Sequence, residues 1–442
     1  MTEGLNICDG RILWVCSSSK SLDICRETPG FYYQFIYNRR MRIRSFQLLP
    51  ALLATVVFPV QALDNDFEIN DINLNEENFL DIKAHGFRKS LEYQWYDYNS
   101  AWRITGASLD GDLAFVQNEL KLQKDMSEYV NVRLETKQQV FYADNTLMRP
   151  TVEVEVYPWA GNLGFSLLGT PAYEKRDMDL GGAVIWGRRP WNYLRFEYLE
   201  VDSLYNQKNP FDATYYSTQP KSYRLEGTWQ FAGSCKLVFD FRNETQGVLL
   251  DPDSNGRFSH RANNYFVLFD YQRDPSSVIG ITLDGFSLDK SREQSGEDRQ
   301  QATDYVSVDI YWVSGMGRAY EWRLGSQYDY LRNDINDGIN PADKLDYFMK
   351  TLQVYGTAYH PFNTHMAWDI GLYVGDVEER QNYVNDSSRN TVNQGVEAKL
   401  RMGFVYRSAD GRSTLQFNIS LNADDPVNDP GDGGGISFQS VF

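Results

Sequence analysis

Apolar and polar residues alternate along most of the chain after residue 113. The stretch 130–137 reads VNVRLETK, 152–156 reads VEVEV, 306–312 reads VSVDIYW and 415–420 reads LQFNIS. Alternate residues of a strand point to the same face, so each stretch predicts a strand with one apolar and one polar face. The pattern therefore predicts an all-β chain.

The segments between these strands alternate between short and long. Short connectors carry turn residues such as Ala160-Gly161-Asn162 and Asp410-Gly411, whereas the others are mostly longer and polar. Eight short hairpins, a terminal strand at 435–442 and an initial strand near 79–97 give 18 strands. The short connectors lie near 125–127, 160–162, 188–191, 233–235, 273–276, 314–318, 360–364 and 408–412.

A membrane barrel explains this pattern better than a soluble β fold does. A soluble sandwich or propeller would have to cover the apolar face of every strand, and the chain lacks the blade-length repeat of propellers. In a membrane barrel the apolar face meets lipid, and closure satisfies the strand edges. Aromatic residues beside the short turns, such as Trp159, Trp191 and Trp312, suit an interfacial girdle. The prediction is a single transmembrane antiparallel up-and-down β-barrel of about 18 strands, within a range of 16 to 18.

The N-terminal region predicts a cleaved export signal at 41–62. Arg42 and Arg44 precede a short apolar run, which ends at the small-residue pattern Val60-Gln61-Ala62. Residues 1–40 have no export character, so we interpret them as an upstream extension from a misplaced start codon. The segment 63–78 is then a short acidic periplasmic stretch, and 79–442 forms the barrel.

Composition and charge narrow the functional classes. The 442 residues carry 60 Asp+Glu against 43 Lys+Arg, a formal charge of −17, and removal of 1–62 makes the remainder still more acidic. An acidic chain disfavours nucleic acid as a partner. The 29 Tyr, 25 Phe and 10 Trp exclude a disordered coil. Only Cys235 remains after residue 62, so an intrachain disulfide is not expected.

The C-terminus resembles a known class of proteins. It ends in Phe442, with apolar residues such as Phe438 and Ile436 at alternate positions before it, although Ser440 departs from the apolar pattern. This ending resembles the terminal strand of Gram-negative outer-membrane barrels, which their insertion machinery reads. The resemblance implies an outer-membrane location and assigns Phe438 and Phe442 to the membrane-insertion signal. By strand count, porins and the alginate-export channel are the nearest relatives in kind.

The polar face of the predicted strands carries many charges of both signs. Oppositely charged residues often lie two apart on one strand, as in Arg195/Glu197, so both face the same side. Two interpretations stay open: a lattice of ion pairs that stiffens the wall, or a pore with a transverse field. The predicted lumen-lining residues are Lys121, Arg133, Glu135, Lys137, Glu153, Glu155, Arg195, Glu197, Arg224, Glu226, Asp240, Arg242, Asp309, Glu321, Arg323, Asp369, Glu397, Lys399 and Arg401.

Candidate chemistry beyond this lumen is weak. Ser259 and His260 are adjacent, so their side chains would point apart on a strand, and no catalytic residue is assigned. Asp251, Asp253 and Asn255 alternate before a glycine, like the opening of a calcium loop, but no Glu follows at the twelfth position. A turn-rich outer loop explains them more simply. No enzymatic activity and no cofactor are expected.

The sequence thus predicts a passive outer-membrane channel of porin type for small hydrophilic solutes. Acidic residues outnumber basic ones on the polar face, which favours cations. Two alternatives stay open: an export channel for an exopolysaccharide, and a closed structural or adhesive barrel whose outer loops bind partners. The expected partners are outer-membrane lipid and lipopolysaccharide, the barrel-insertion machinery, and the solute or polysaccharide.

Overall fold

The structure is a computed structural model, and it describes most of the chain from residue 99 onward together with one short hairpin. The hairpin belongs to a first compact unit, Met1–Phe58, and pairs β1 (Leu5–Cys8) with β2 (Arg11–Trp14). The second unit, Pro59–Phe442, holds the other strands of the described residues. The described ranges are 5–8, 11–14, 99–109, 113–141, 146–158, 162–170, 178–203, 215–252, 255–294, 297–316, 320–338, 344–424 and 431–442.

The second unit is an antiparallel barrel of 18 strands. Each strand pairs with its sequence neighbours, and β21 pairs with β3 to close the wall, with Phe438 opposite Ile104. The first seven strands are β3 (Ala101–Leu109), β4 (Leu113–Asp125), β5 (Val130–Phe141), β6 (Thr146–Val156), β7 (Leu163–Gly169), β8 (Leu180–Arg188) and β9 (Trp191–Glu200).

After a short accessory strand, β10 (Tyr215–Thr218), eleven more strands complete the barrel. Strand β9 pairs directly with β11, with Glu197 opposite Arg224, so β10 is not one of the 18 barrel strands. A single 3₁₀ turn, Ser387–Arg389, precedes β19. These strands are β11 (Lys221–Phe231), β12 (Cys235–Asp251), β13 (Gly256–Asp274), β14 (Ser277–Gln294), β15 (Glu297–Ser314), β16 (Glu321–Asp337), β17 (Leu345–Pro361), β18 (Met366–Tyr383), β19 (Thr391–Arg407), β20 (Ser413–Asn422) and β21 (Gly431–Val441).

The fold class and the strand number predicted from the sequence are confirmed, and each of the eight predicted short connectors separates two paired strands. The assignment of the first strand is corrected. The predicted strand near 79–97 lies outside the described residues, and the strand that pairs with the C-terminal strand is Ala101–Leu109. Its alternation is short, because Gly106 and Ser108 follow Trp102 and Ile104 on the same face and dilute its apolar character. The signal peptide at 41–62 and the acidic segment at 63–78 also lie outside the described residues.

The wall is much taller on one side than on the other. Strands β12 to β19 have 17 to 19 residues, whereas β7 has 7 and β20 has 10. At about 3.3 Å per residue and a tilt of about 40°, the long strands rise about 40 Å or more, well beyond an apolar band of about 25 Å. The extra height lies at the long-loop end, because the short turns keep the other end level.

No helix in the described part of the chain is long and apolar enough to cross a membrane.

Candidate functional site: the barrel interior

The two faces of each strand differ in exposure and in chemistry. On β6, Val154 is exposed, whereas Glu153 and Glu155 beside it are buried. The Arg195 guanidinium of β9 contacts Glu153, although β7 and β8 separate the two strands. Side chains can meet over intervening strands only on the concave side of a closed wall. The buried, charged face is therefore the interior, and the exposed apolar face is the outside that lipid requires.

Eight charged groups on one side of the interior form a continuous network, which we call the glutamate cluster. Arg189, in the turn between β8 and β9, lies at its centre. Its Nη1 atom is 3.0 Å from Glu155 and 3.3 Å from Glu153, and its Nη2 atom bonds to Glu226 of β11. The cluster consists of Glu153, Glu155, Glu197, Glu226 and Asp240 with Arg189, Arg195 and Arg224.

Two further arginines extend the network to neighbouring strands. Arg195 Nη2 is 2.9 Å from Glu153, and Arg195 Nη1 bonds to Glu197 on its own strand. Arg224 Nη2 lies 2.6 Å from Asp240 and 2.8 Å from Glu226. Each arginine thus serves at least two carboxylates, as a fork of fixed donors allows.

The glutamate cluster is packed rather than hydrated. Glu155 is 1% exposed and Arg195 is 2% exposed. Buried charges are tolerated only when they are paired and hydrogen-bonded, and here the pairing is dense. This side of the interior is therefore filled by side chains, with carboxylates in excess over guanidiniums.

The tight turn between β8 and β9 directs Arg189 into the interior. Gly187 before it has a φ of +89°, and a Cβ there would collide with the carbonyl of Asn192. Arg188 points the other way, because its Nη2 atom donates to the Glu128 carbonyl at 2.9 Å in the turn between β4 and β5. Arg188 thus links two turns, while Arg189 completes the glutamate cluster.

The opposite part of the interior carries a row of stacked tyrosines and arginines, which we call the Tyr–Arg row. The Arg323 guanidinium lies 4.0 Å from the ring centre of Tyr311 and 5.9 Å from that of Tyr355. Tyr355 stacks on Tyr373 at 5.4 Å, and the guanidinium of Arg401 lies 5.7 Å from the Tyr373 ring. The ring quadrupole attracts a cation that lies over the aromatic face. The contacts of rings and guanidiniums therefore form a continuous row from β15 to β19.

Aspartates anchor this row from neighbouring strands. Asp309 accepts from Arg323 Nη2 at 2.9 Å and from the Tyr355 hydroxyl at 2.8 Å. Asp369 accepts from Arg401 Nη2 at 2.6 Å. The Tyr311 hydroxyl also donates to a carboxylate, that of Asp270 on β13. Tyr311, Arg323, Tyr355 and Arg401 are thus each fixed at the polar end of the side chain.

Glycines let two of these rings lie flat against the wall. Gly280 faces Tyr311 across the β14–β15 pair, and Gly325 faces Tyr355 across the β16–β17 pair. A Cβ on Gly325 would overlap the Tyr355 ring, and a Cβ on Gly280 would overlap the Tyr311 ring. An aromatic ring that covers a cross-strand glycine in this way stays close to the sheet. The rings therefore line the wall without projecting into the lumen.

Both charged patches lie nearer the short turns than the long loops. Glu155 comes two residues before the turn at Tyr157, and Arg323 follows the turn between β15 and β16 closely. The glutamate cluster covers β6 to β12 and the Tyr–Arg row covers β15 to β19, so they occupy different arcs of one ring of strands. A polar solute passing this level would meet carboxylates on one side and guanidinium and ring faces on the other.

Closer to the long loops, part of the interior is apolar, which the sequence analysis did not anticipate. Six side chains of β15, β16 and β17 pack there as one buried cluster, with Phe286 and Tyr383 against it. Tyrosine hydroxyls connect this cluster to nearby carboxylates, for example Tyr347 to Glu379 at 3.2 Å. The cluster consists of Tyr305, Leu331, Ile335, Leu345, Tyr347 and Met349.

The remaining predicted lumen residues whose side chains are described lie on the same face but outside the two networks. Arg133 pairs with Glu135 at 2.9 Å, and Arg242 donates to Ser222 at 3.1 Å. Lys121 is buried opposite Glu135. Lys399 is 3.8 Å from Glu397, and Glu321 lies opposite Tyr359. Lys137 lies opposite Glu119 in the sheet, and its side chain is outside the described part of the chain.

The terminal aromatic residues contact the strand that closes the barrel. The Phe438 ring packs edge-on against Trp102 at 5.3 Å, and the Phe442 amide donates to the Ser100 carbonyl at 3.2 Å. The Phe442 side chain is exposed. The predicted insertion signal therefore lies at the seam, at the short-turn end.

The weak candidates for metal binding and catalysis do not form sites in the described residues. No group of three or more His, Cys, Asp or Glu there is arranged to hold a metal ion. Asn255 has a φ of +52°, as a turn residue, and Asp253 lies outside the described residues. His260 bonds to Glu244 at 2.6 Å, while Ser259 bonds to Ser291 at 2.7 Å.

Sequence reasoning missed Arg189 and the interior tyrosines. Arg189 fell inside a predicted turn, yet two adjacent arginines beside a strand must face opposite sides, which was a usable signal. Tyr355 shares its parity with Thr351 and Gln353 rather than with Leu352, and this also marked it as inward-facing. The stacking partners come from strands far apart in sequence, so no local pattern showed the row itself.

Comparison with known proteins gives only remote structural similarity. No family profile matches the chain, and no curated protein matches it by sequence. Among solved structures, Pseudomonas aeruginosa OccK2 (OpdF) is 12% identical with a TM-score of 0.39, over 77% of this chain and 95% of that one. A bacterial polysaccharide outer membrane secretin is 10% identical with a TM-score of 0.36, over 78% and 99%. The outer membrane protein OmpT of Vibrio cholerae, in its trimer form, is 9% identical with a TM-score of 0.33, over 78% and 98%. Similarities this low carry no functional argument, so the function has to be inferred from the barrel's own geometry.

Proposed function

We propose that the protein is a passive channel of the outer membrane for small hydrophilic solutes. One observation supports this proposal above all: a closed wall of 18 strands with an apolar exterior and a charged interior. Barrels of 16 to 18 strands are wide enough to hold an aqueous passage. The tyrosines that lie flat over glycines keep part of that passage clear.

The charge of the interior favours cations. The carboxylates of the glutamate cluster outnumber its guanidiniums, and Asp270, Asp309 and Asp369 flank the two arginines of the Tyr–Arg row. A passage lined by an excess of one sign concentrates ions of the opposite sign. Anions would meet no free arginine in these two networks, since each guanidinium there is paired with a carboxylate.

A closed structural barrel is the second candidate. The burial of Glu155 and Arg195 favours it, because side chains that face open water would be more exposed. In that case the long outer loops would bind partners, and the lumen would conduct nothing. Export of a polyanionic polysaccharide is less well supported, since the described interior shows no constriction dominated by arginine or lysine.

Single-channel recording in a planar bilayer distinguishes these functions. The refolded barrel should give a steady ohmic current, with a cation-biased reversal potential in a salt gradient. Replacement of Arg323 and Arg401 by Gln should increase the cation bias, because two positive charges leave the wall. Arg257→Gln is the matched control, since Arg257 forms only an exposed pair with Glu293 and should leave selectivity unchanged. A folded but silent barrel would contradict the channel proposal and favour the structural one.

The outer surface also fits the proposed partners. The exposed apolar side chains would contact lipid, and the polar long loops would meet lipopolysaccharide at the other end from the turns. The exposed Phe442 at the closing seam is available to an insertion machinery. Deletion of Phe442 should lower the fraction of newly made protein that reaches the membrane in a folded form, as measured by heat-modifiable mobility on gels.

A further inference from the structure

The tall side of the wall ends in an unpaired strand edge. Strand β19 pairs with β18 from Thr391 onward, but its pairing with β20 begins only at Lys399, opposite Asn422. One further hydrogen bond, from the Ala423 amide to the Ala398 carbonyl at 2.6 Å, ends the contact. Among the described residues, none pairs with 391–397 on this side. We call this segment the β19 edge.

The backbone groups at this edge are identifiable. Alternate residues of a strand direct their N–H and C=O groups to the same side. Because the Ala398 carbonyl points toward β20, the N–H and C=O groups of Val396, Gln394 and Val392 also point there. The β19 edge therefore offers three regularly spaced donor–acceptor pairs.

The β19 edge must lie outside the lipid. An unsatisfied backbone group in hydrocarbon costs several kcal/mol, so open edges do not occur in the apolar layer. The opposite flank of the tall wall is treated differently. There β10 covers the end of β12, with Tyr215 opposite Leu250. Among the described residues, one flank is thus covered by an added strand and the other is not.

We propose that the β19 edge docks an extended segment of a partner protein, which adds to the wall as a strand on the outer side of the membrane. This proposal rests on the barrel's position in the outer membrane and holds whether or not the lumen conducts. Strand addition of this kind gains affinity from main-chain hydrogen bonds and specificity from alternate side chains. It would remove the hazard that an open edge presents.

Two other occupants are disfavoured by geometry. The segment preceding β3 begins at the short-turn end, where Ser100 contacts Phe442, so it starts at the far end of the wall. A second copy in the same membrane is related by an axis along the membrane normal. Since barrel strands tilt by about 40°, two β19 edges related in this way would cross rather than align.

The side chains at the edge indicate what the partner segment should contain. Val392 and Val396 are 65% and 67% exposed and share one face of the sheet. Asp376 and Glu378 of β18 lie opposite Val396 and Gln394 on that same face, and Asp376 has no ion-pair partner among the described residues. A strand beside β19 would place apolar residues against the valines. Glu378 already pairs with Arg380, so a lysine on that strand could reach over β19 to Asp376. The fitting partner is an extended segment of alternating valine-like and polar residues that includes lysine.

Hydrogen exchange of the refolded full barrel with a synthetic probe tests this proposal. The probe is the peptide KVTVKVTK, and its matched control is N-methylated at every internal residue, so that neither edge of the peptide can donate hydrogen bonds. At saturation the probe should slow exchange of the Val392, Gln394 and Val396 amides by about tenfold or more, and the control should not. Gln394→Pro should abolish the protection while the barrel still folds, since proline is tolerated where an edge N–H is unpaired. Gln394→Ala should keep the protection.

Several outcomes would overturn the proposal. Slow exchange of the Val392, Gln394 and Val396 amides without probe would show that the barrel's own chain covers the edge. Slow exchange that grows with protein concentration would show a second copy instead. Equal protection by the probe and its methylated control, or in Gln394→Pro, would show contact without strand addition. Absence of any protection by the probe would equally contradict it.

Discussion

Replacement of Arg189 by alanine tests whether the glutamate cluster stabilises the barrel. The change removes contacts with Glu153, Glu155 and Glu226 at once. The positive φ angles beside this turn belong to Gly187 and Asn192, so the substitution does not disturb a left-handed backbone position. The expected result is a loss of stability confined to electrostatics.

The magnitude follows from which carboxylates keep another arginine. Glu153 retains Arg195, and Glu226 retains Arg224. Glu155 loses its guanidinium contact and keeps neutral hydrogen-bond donors. Stranding one buried charge costs about 3–5 kcal/mol, and the remaining donors favour the lower end, about 3 kcal/mol.

Guanidinium-induced unfolding in lipid vesicles, followed by tryptophan fluorescence, measures this loss. Arg257→Ala is the control, because an exposed pair such as Arg257 with Glu293 contributes about 1 kcal/mol or less. The double variant Arg189→Ala with Glu155→Gln should recover most of the stability, since the stranded charge is then absent. An effect of Arg189→Ala no larger than that of Arg257→Ala would refute the argument. So would a double variant that is no more stable than Arg189→Ala alone.

Two more substitutions probe the inner and outer faces of the wall. Gly325→Ala should destabilise the barrel by about 1–3 kcal/mol and lower its conductance, because the new methyl group displaces the Tyr355 ring into the lumen. Gly395→Ala is the control, since the added group meets nothing within 4 Å there. Equal effects at both sites would contradict the close fit between Gly325 and the Tyr355 ring. Val354→Arg should lower the free energy of unfolding in vesicles by about 2–4 kcal/mol if Val354 faces lipid. Val396→Arg, in the β19 edge beyond the closed part of the barrel, should change it by close to nothing. An unchanged stability of Val354→Arg would show that the apolar band lies elsewhere.

The sequence was sufficient for the strands, the turns and the two faces, because each depends on neighbours along the chain. Period-two alternation is local, so Val152 to Val156 showed their faces directly. The first strand was misplaced, since Gly106 and Ser108 weaken the same signal. The boundary between signal and barrel stays a prediction.

The site itself depends on contacts that no local pattern encodes. The charges of the glutamate cluster were predicted to face inward, but their burial depends on Arg189 reaching β6 and β11 at once. The Tyr–Arg row needs Tyr311, Arg323 and Tyr355 from three strands in one register. Register over several strands is set by the whole wall, so the sequence showed the components without their arrangement.

The pairing of β21 with β3 also constrains how the protein can fold. These two strands lie at opposite ends of the barrel sequence, so their contact has the greatest separation along the chain that the barrel contains. Until the last strand is made, every partly folded form carries two open edges, and contacts of such high order form slowly. Slow closure leaves time for intermolecular strand pairing and aggregation. We therefore expect unassisted refolding to be slow and concentration-sensitive, with the final rate set by the arrival of the C-terminal strand at the seam.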